Sequence, residues 1–345
     1  MLQSVPHGGN LSTAIAQYGR PREDWLDLST GINPNGYPVP ALSADAWLRL
    51  PDDEDDLEAI AANYYGAPAA LAVAGTQAAI RMLPQVLPAG AIGIGLLTYG
   101  EYAPAFAAAG FAVQTFVTET LSDLAADFTL VPGQDLPAHL RYLVVVNPNN
   151  PSADLFTPAV LLAWREQLRA RGGCLIVDEA FMDVLPASGL AAHTADDGLI
   201  VLRSVGKFFG LAGARAGFVL AAQPLRHTLS LLRGPWSISG PARAVVRAAL
   251  LDTAWQTATR SALLRDGARL VNLLTQAGFD ACGTPLFAWA RQADAEQRQH
   301  QLAAQGIWVR RFTHVPSLRF GLPANETGWQ RLAASLPLNT GHTHV

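Results

Sequence analysis

The sequence contains little cysteine and little charge. Only two of its 345 residues are cysteines, Cys174 and Cys282, which excludes a framework of several disulfides. Charged residues make up 15% of the chain and the net charge is −4, so the sequence offers no basic face to nucleic acid. Half of the residues are apolar, and a chain of this length is expected to bury a large core and to form two lobes.

The sequence shows neither a membrane-spanning apolar run nor the pattern of a signal peptide. No apolar run has the length that a helix needs to span a bilayer. The first residues, Met-Leu-Gln-Ser-Val-Pro-His, lack the charged and then apolar pattern of a signal peptide. These absences predict a cytoplasmic protein that makes no membrane contact. The glycines Gly90, Gly93 and Gly95 do not match the Gly-x-Gly-x-x-Gly pattern of dinucleotide-binding proteins.

Short apolar runs alternate with helical patterns through the middle of the chain. The runs are continuous, which is typical of strands in a mostly parallel sheet that is covered on both faces. Strands are predicted at 71–74, 92–97, 112–117, 142–146, 175–177, 199–202 and 216–220, and helices at 77–87, 103–109 and 158–170. The tail, with a helix at 241–277 and strands at 286–290, 307–309 and 318–320, resembles a smaller lobe. We therefore predict an α/β fold with a large domain at 46–235, and with an N-terminal arm (1–45) and a small α+β domain (236–345).

Polar residues follow two of the predicted strands. Ligands of parallel α/β sheets bind at the carboxyl ends of the strands. Gly75, Thr76 and Gln77 follow the strand at 71–74 and open a helix, whose N-terminal N–H groups can bind a phosphate. Tyr102, after the strand at 92–97, is suited to stack on a flat ring. The simpler alternatives are an ordinary turn and a packed tyrosine.

Two further strands end in an amide and a carboxylate. Asn150 lies in Asn147-Pro148-Asn149-Asn150-Pro151, where two prolines restrict the backbone and would aim an amide; a plain turn is the alternative. Asp178 ends an apolar strand, and because a lone buried carboxylate is costly, it needs a partner such as a protonated ring nitrogen. A helix cap and a metal ligand are the alternatives, but no histidine stands nearby at ligand spacing, and no metal is predicted.

Lys207 carries the strongest chemical signal. It lies among small and apolar residues in Ser204-Val205-Gly206-Lys207-Phe208-Phe209-Gly210. A lysine held out of water loses its proton more easily, and only the neutral amine attacks a carbonyl. Arg215, eight residues later, suits a phosphate. An amine and a phosphate ligand together suggest pyridoxal 5'-phosphate (PLP); the alternative is a lysine whose stem packs on a glycine-rich loop.

In their order along the chain these residues resemble the fold-type-I PLP enzymes of the aspartate aminotransferase superfamily. The resemblance implies that Lys207 forms a Schiff base with PLP and that Asp178 pairs with the pyridine nitrogen. It also implies that Asn150 contacts the 3'-oxygen of the ring and that Tyr102 stacks on it. The cofactor phosphate would be bound by Gly75, Thr76, Gln77, Ser204 and Arg215.

The N-terminal segment narrows the resemblance. His7-Gly8-Gly9-Asn10 and Asp27-Leu28-Ser29-Thr30-Gly31-Ile32-Asn33-Pro34 are similar to segments of the threonine-phosphate decarboxylases. This implies decarboxylation of L-threonine O-3-phosphate to (R)-1-aminopropan-2-yl phosphate in cobalamin biosynthesis, by a homodimer. An aminotransferase of the histidinol-phosphate type, which would remove a proton in place of CO2, is the runner-up. A non-catalytic PLP-fold binding protein is a third alternative, against which Lys207 and Asp178 argue.

The same resemblance assigns substrate-binding residues. Arg319 resembles the arginine that holds the substrate carboxylate, assisted by Asn150 and by the loop of Gly31, Ile32 and Asn33. In that family an early histidine, here His7, lies near the substrate phosphate. Arg310 and Arg311 are further candidates, because charge-assisted hydrogen bonds would anchor the phosphate. Neighbouring residues of a strand point in opposite directions, so only one of the two adjacent arginines is expected to meet the substrate.

Three positions depart from the family pattern. Phe181 stands where many aminotransferases have a tyrosine that contacts the ring 3'-oxygen, and Gly206 where related enzymes often have a phosphate-binding serine. Leu50 replaces a tyrosine that reaches the phosphate of the partner subunit. We therefore expect Ser204 and Arg215 to contribute more of the phosphate binding, because fewer other side chains contact the phosphate.

Overall fold

A computed structural model describes residues 8–336 of the chain. Its helices are α1 (Leu11–Tyr18), α2 (Asp45–Leu48), α3 (Leu57–Tyr65), α4 (Thr76–Val86), α5 (Tyr102–Ala108), α6 (Pro158–Ala170), α7 (Gln223–Arg233), α8 (Gly240–Leu251), α9 (Thr253–Gln276), α10 (Ala295–Ala304) and α11 (Glu326–Ser335). Its strands are β1 (Leu26–Leu28), β2 (Leu71–Val73), β3 (Ala91–Gly95), β4 (Ala112–Thr118), β5 (Phe128–Leu130), β6 (Tyr142–Val146), β7 (Cys174–Asp178), β8 (Leu199–Ser204), β9 (Gly217–Ala221), β10 (Asp280–Thr284), β11 (Phe287–Arg291), β12 (Ile307–Phe312) and β13 (Ser317–Gly321). None of the helices in this part of the chain is long and apolar enough to cross a membrane.

The larger of two units comprises Gly36–Asn150 and Asp154–Thr257. It contains an eight-stranded sheet with the order β2-β9-β8-β7-β6-β3-β4-β5. All neighbouring strands are parallel except β9, which is antiparallel to both β2 and β8. Every residue of β6, β7 and β8 is buried, which explains why these strands appear as unbroken apolar runs. The predicted α/β fold with a mostly parallel sheet is confirmed.

The smaller unit comprises 8–35, Pro151–Ala153 and 258–336. Its five-stranded sheet has the order β1-β12-β13-β11-β10. β1 pairs in parallel with β12, and the remaining pairs are antiparallel. The sequence did not predict β1, which is only three residues long, or β10, most of which is exposed or half-exposed.

The boundaries between the two units lie at residues 35/36 and 257/258. The sequence analysis suggested domain boundaries at 45/46 and 235/236. Residues 36–45 belong to the larger unit. In this segment the Tyr37 N–H donates to the Phe209 carbonyl at 2.8 Å, and the Tyr37 ring packs on Trp255. Helix α8 belongs there because Arg243 pairs with Asp55, with Nε to Oδ2 at 2.8 Å.

Most predicted elements have ends within a few residues of those observed, and α6 occupies the predicted range. The predicted helix at 241–277 is two helices, α8 and α9. They are separated at Asp252, whose Oδ1 accepts the Trp255 N–H at 2.9 Å. A carboxylate that caps the first turn of a helix favours a new start at that point.

Candidate active site

Lys207 lies in the turn that follows β8. The next two residues, Phe208 and Phe209, are fully buried, and Phe209 stacks on Trp255 with ring centroids 5.6 Å apart. The Lys207 Nζ atom lies 5.4 Å from the centroid of the Phe181 ring. The buried aromatic residues therefore anchor the backbone of the turn, and the phenylalanine that replaces the expected tyrosine borders the amine.

Asp178 is the last residue of β7, and its side chain is buried. Its Oδ2 accepts the Tyr102 hydroxyl at 2.7 Å, and its Oδ1 accepts the Ala180 N–H at 3.0 Å. Burial raises the pKa of Asp178, whereas these two hydrogen bonds and the charge of Lys207 act to lower it. A carboxylate has about four acceptor positions, so each oxygen can accept a second donor. The N–H of a protonated pyridine ring fits this requirement.

Three segments meet at the N-terminus of α4. Gly75 has φ +74° and precedes Thr76, the first residue of the helix. A Cβ atom at Gly75 would stand 2.9 Å from Arg215 Nη2, so the guanidinium lies against this turn. Ser204 ends β8, and its register partner Gly217 lies so close to the Thr76 nitrogen that a Cβ there would be 2.9 Å from it. N–H groups at a helix start, a hydroxyl and a guanidinium together suit a phosphate.

The two tyrosines that follow β3 have different surroundings. Tyr102 is fully buried in the hydrophobic core, so its ring has no open face on which a cofactor could stack. Tyr99 is only partly buried. Burial, followed by the charges of Glu101 and Asp178, raises the pKa of Tyr99 to about 12. Tyr99 is therefore the better placed aromatic for stacking, although the sequence suggested Tyr102.

The side chain of Gln77 is engaged near Tyr99. Its Oε1 accepts the Tyr99 hydroxyl at 3.0 Å, and its Nε2 donates to Glu101 Oε2 at 2.7 Å. Arg81 donates to the same carboxylate oxygen at 2.7 Å. Gln77 can therefore contribute its backbone N–H to a phosphate site, while its side chain orients Tyr99.

Two amides shape the turn that follows β6. Asn147 exchanges two hydrogen bonds with the backbone of Phe156, at 2.8 and 3.1 Å, and the peptide bond between Asn147 and Pro148 is cis. Asn149 donates to the Leu97 carbonyl at 2.9 Å. Both side chains hold the turn that carries Asn150, the amide predicted to meet the ring oxygen.

Two arginines of the smaller unit stand side by side. Arg310 in β12 and Arg319 in β13 are register partners, so their side chains lie on the same face of the sheet. Arg319 is buried, and its Nη2 donates to the Ser29 carbonyl at 2.7 Å. Burial, and then the charge of Arg310, lower the pKa of Arg319, and burial lowers the pKa of Arg310. A bound anion would offset both penalties.

Arg311 is on the opposite face of β12. Its Nη1 lies 2.5 Å from Oε1 of Glu296, in α10. An arginine with a carboxylate partner at this distance is poorly suited to bind a substrate anion as well. The two adjacent arginines therefore have different surroundings.

Two N-terminal segments, around Gly8 and around Ser29, lie against Arg319. Asp27 Oδ1 accepts both the N–H and the hydroxyl of Ser29, at 2.9 and 2.6 Å. Ser29 Oγ accepts the Gly9 N–H at 2.9 Å. A Cβ atom at Gly8 would stand 3.3 Å from Arg319 Nη2. The two segments that resemble the decarboxylases therefore meet at the arginine that was assigned to the substrate carboxylate.

Of the other predicted substrate ligands, Gly31, Ile32 and Asn33 lie in the smaller unit. Asn33 is buried, and its Oδ1 accepts the Asn35 N–H at 2.9 Å, which bends the loop that carries Gly31 and Ile32. His7 lies outside the described residues. From residue 8 to residue 336, no group of three or more His, Cys, Asp or Glu side chains is placed to hold a metal ion.

Two curated proteins resemble the chain over nearly its full length. It is 46% identical over 333 residues to a threonine-phosphate decarboxylase of Pseudomonas aeruginosa, covering 96% of this chain and 97% of the relative. It is 42% identical over 345 residues to a threonine-phosphate decarboxylase of a Sinorhizobium species, covering 97% of this chain and 98% of the relative.

Solved structures and family profiles agree with the fold. The structure is similar to that of histidinol-phosphate aminotransferase from Sinorhizobium meliloti in complex with PLP, with a TM-score of 0.76 and 18% identity over 97% of this chain and 95% of the other. At that identity the likeness shows the fold alone. Residues 24–336 match the family described as aminotransferase class I and II. The chain therefore belongs to the class I and II aminotransferases, a family of PLP-dependent enzymes.

Proposed function

We propose that this chain is a PLP-dependent decarboxylase that converts L-threonine O-3-phosphate to (R)-1-aminopropan-2-yl phosphate and CO2, a step in cobalamin biosynthesis. The observation that carries this proposal is the identity of 46% and 42% to two threonine-phosphate decarboxylases over almost the whole of each chain. The paired arginines of the smaller unit support it, because the substrate has two anionic groups.

PLP is assigned to residues of the larger unit. We propose that Lys207 binds it covalently, that Asp178 accepts the N–H of its ring, that Asn150 contacts its 3'-oxygen and that Tyr99 stacks on it. The cofactor phosphate is assigned to the backbone of Gly75, Thr76 and Gln77 and to the side chains of Ser204 and Arg215. When bound, PLP withdraws the electron pair that a departing group leaves on Cα.

Gly217 provides a test of the phosphate site. A Cβ atom there would stand 2.9 Å from both the Arg203 carbonyl oxygen and the Thr76 nitrogen, and neither backbone atom moves cheaply. Overpacking of this kind costs about 1–3 kcal/mol in the folded protein. If the Thr76 nitrogen shifts to relieve it, one N–H donor of the phosphate site is displaced, so Gly217→Ala should weaken PLP binding by roughly tenfold. Gly213→Ala is the control, because its Cβ would meet nothing within 4 Å. Equal dissociation constants in titrations of the two apoproteins with PLP would contradict the assignment.

The substrate residues decide which bond is broken. Decarboxylation breaks the bond between Cα and the carboxylate carbon, CO2 leaves, and Cα takes up a proton. We propose that Arg319 binds the carboxylate and Arg310 the phosphate. Two charge-assisted contacts, one at each end of a small substrate, define a single orientation. Further contacts are assigned to His7, Gly31, Ile32, Asn33 and Asn150.

Arg310 and Arg311 form a matched pair for testing the substrate phosphate site. Loss of a hydrogen bond between charged groups costs about 1.5–3 kcal/mol, so Arg310→Gln should raise KM for threonine phosphate roughly 10- to 100-fold. Arg311→Gln, which removes the pair with Glu296, should change KM less than about twofold, since partly exposed ion pairs contribute little. Steady-state kinetics at constant ionic strength measures both, and an equal effect of the two variants would refute the assignment.

An amino acceptor distinguishes the decarboxylase from the alternatives. The protein is incubated with threonine phosphate, with and without 2-oxoglutarate. We expect CO2 release at the same rate in both reactions. Transfer of the amino group to the keto acid without CO2 release would favour the histidinol-phosphate type of aminotransferase. PLP binding with neither reaction would favour a non-catalytic protein.

A homodimer is the proposed assembly. Trp47, Leu48, Leu50 and Trp236 are large apolar side chains of the larger unit, each more than half exposed. Their segments are held together, because Asp53 Oδ2 accepts the Trp236 N–H at 2.6 Å. Exposed apolar patches mark interaction sites, and a twofold dimer buries the same patch of both copies against each other. Light scattering should therefore give twice the 36.6 kDa chain mass, and a monomeric mass would contradict the proposal.

The cytoplasm is the proposed location, as the sequence suggested. Fractionation of cells that produce the protein should recover it with cytoplasmic enzymes. Recovery with membranes or in the medium would contradict this.

A further inference from the structure

Tyr102 contacts the carboxylate that is assigned to the cofactor ring. Its hydroxyl donates to Asp178 Oδ2 at 2.7 Å, and both residues are buried. The ring is packed in the hydrophobic core of the larger unit, with Phe106 among its members. The hydroxyl is thus fixed by the surrounding side chains and directs one hydrogen bond to Asp178.

We infer that Tyr102 is a positioning residue of the reaction, which fixes the orientation and the negative charge of Asp178. The inference rests on the proposed PLP site. The Ala180 N–H holds Oδ1 and the Tyr102 hydroxyl holds Oδ2, so the carboxylate cannot rotate without breaking a hydrogen bond. A carboxylate in a fixed orientation stabilises a neighbouring positive charge at no further reorganisation cost.

The groups around Asp178 determine how the loss of the Tyr102 hydroxyl would change the pH dependence of activity. Burial raises the pKa of Asp178, and the Tyr102 hydrogen bond, the Ala180 N–H and the charges of Lys207 and Arg203 lower it. Tyr99 also interacts electrostatically with this carboxylate. Removal of one donor from the ionised form raises the pKa of Asp178 further. A smaller fraction of Asp178 is then ionised at low pH, and the acidic limb of the activity profile moves to higher pH.

Tyr142 is a matched control for Tyr102. It is buried in the same hydrophobic core, and its hydroxyl donates to the Pro88 carbonyl at 2.7 Å. Tyr142→Phe therefore removes one buried hydroxyl with one hydrogen bond, as Tyr102→Phe does, but leaves Asp178 untouched. Any loss of stability that is common to both variants is separated in this way from an effect through Asp178.

The experiment compares Tyr102→Phe and Tyr142→Phe as PLP-loaded enzymes. A hydrogen bond to a charged group is worth about tenfold or more in an equilibrium. We expect Tyr102→Phe to lower kcat roughly tenfold, to leave KM for threonine phosphate within about twofold, and to shift the acidic limb upward by about one pH unit. Absorbance of the bound cofactor against pH should show the same shift. Tyr142→Phe should match the wild type in all four measurements.

A double-mutant cycle provides a second readout, which needs no turnover. The affinity of each apoprotein for PLP is titrated, together with its thermal unfolding. Tyr102→Phe should weaken PLP binding several-fold in the wild-type background and less than about twofold in the Asp178→Asn background, because its effect acts through that carboxylate. Equal weakening in both backgrounds would overturn the inference, as would wild-type kcat and spectra in Tyr102→Phe. In either case a yellow, active wild type would leave the proposed function intact, whereas a colourless wild type would refute the function itself.

Discussion

Replacing Lys207 with alanine will give a colourless protein whose decarboxylase activity is about 10⁴-fold or more below that of the wild type. The substitution removes the amine that is assigned to the covalent bond with PLP, and loss of a covalent nucleophile costs rates of this order. Absorbance above 400 nm and CO2 release from threonine phosphate measure the two effects. Lys207→Arg is the control for charge, because a guanidinium keeps the positive charge but does not form the bond.

The composition of the chain allows the covalent bond between Lys207 and PLP to be tested by reduction with borohydride. Lys207 is the only lysine among the 345 residues. After reduction with borohydride, a pyridoxyl group on a lysine can only be at this position, and mass spectrometry of peptides separates it from a label on the N-terminus. A yellow Lys207→Ala protein with near-normal turnover would exclude the assignment.

Asp178→Asn should give the second largest effect, with kcat reduced by about 10²- to 10³-fold. The change keeps the shape of the side chain and removes the charge that stabilises a protonated ring nitrogen. Preorganised electrostatic groups of this kind contribute on the order of 3–4 kcal/mol to a barrier. Steady-state kinetics with saturating PLP measures the loss.

The control for this substitution is Asp127→Asn. Asp127 also accepts two hydrogen bonds, from the N–H and the hydroxyl of Thr115 at 2.6 and 2.9 Å, but it is exposed at the surface. Its substitution should leave kcat unchanged. Near-normal turnover of Asp178→Asn would count against a role for its charge, and so would equal losses in the two variants.

The strands of the large sheet were predictable from the sequence, because their burial on both faces requires continuous apolar residues. The five residues of β6 are all buried, and so are those of β7, and a polar residue that ends such a strand stands out. Asp178, the last residue of β7, could be found in this way. Lys207 lies three residues beyond the end of β8 and was found instead from the small and apolar residues around it. The three-residue β1 gives no such signal, because only Leu28 in it is buried, and its pairing with β12 depends on residues almost 300 positions away.

The choice between neighbouring residues could not be made from strand patterns alone. Tyr102 and Tyr99 both follow β3, but Tyr102 shares a buried face of α5 with Ala105 and Phe106. Spacing of three and four residues is the helical signal that could have assigned Tyr102 to the core. The choice of Arg310 over Arg311 needed the register with β13, which the sequence does not contain.

The most direct test of the account follows L-threonine O-3-phosphate labelled with carbon-13 in its carboxylate, incubated in deuterium oxide with the PLP-loaded enzyme and no keto acid. We predict that nuclear magnetic resonance will show one labelled CO2 or bicarbonate for each (R)-1-aminopropan-2-yl phosphate formed, with one deuterium on the carbon that carried the carboxylate. Retention of the label in the organic product, either as a keto acid or in substrate that has only exchanged its α-proton, would contradict decarboxylation.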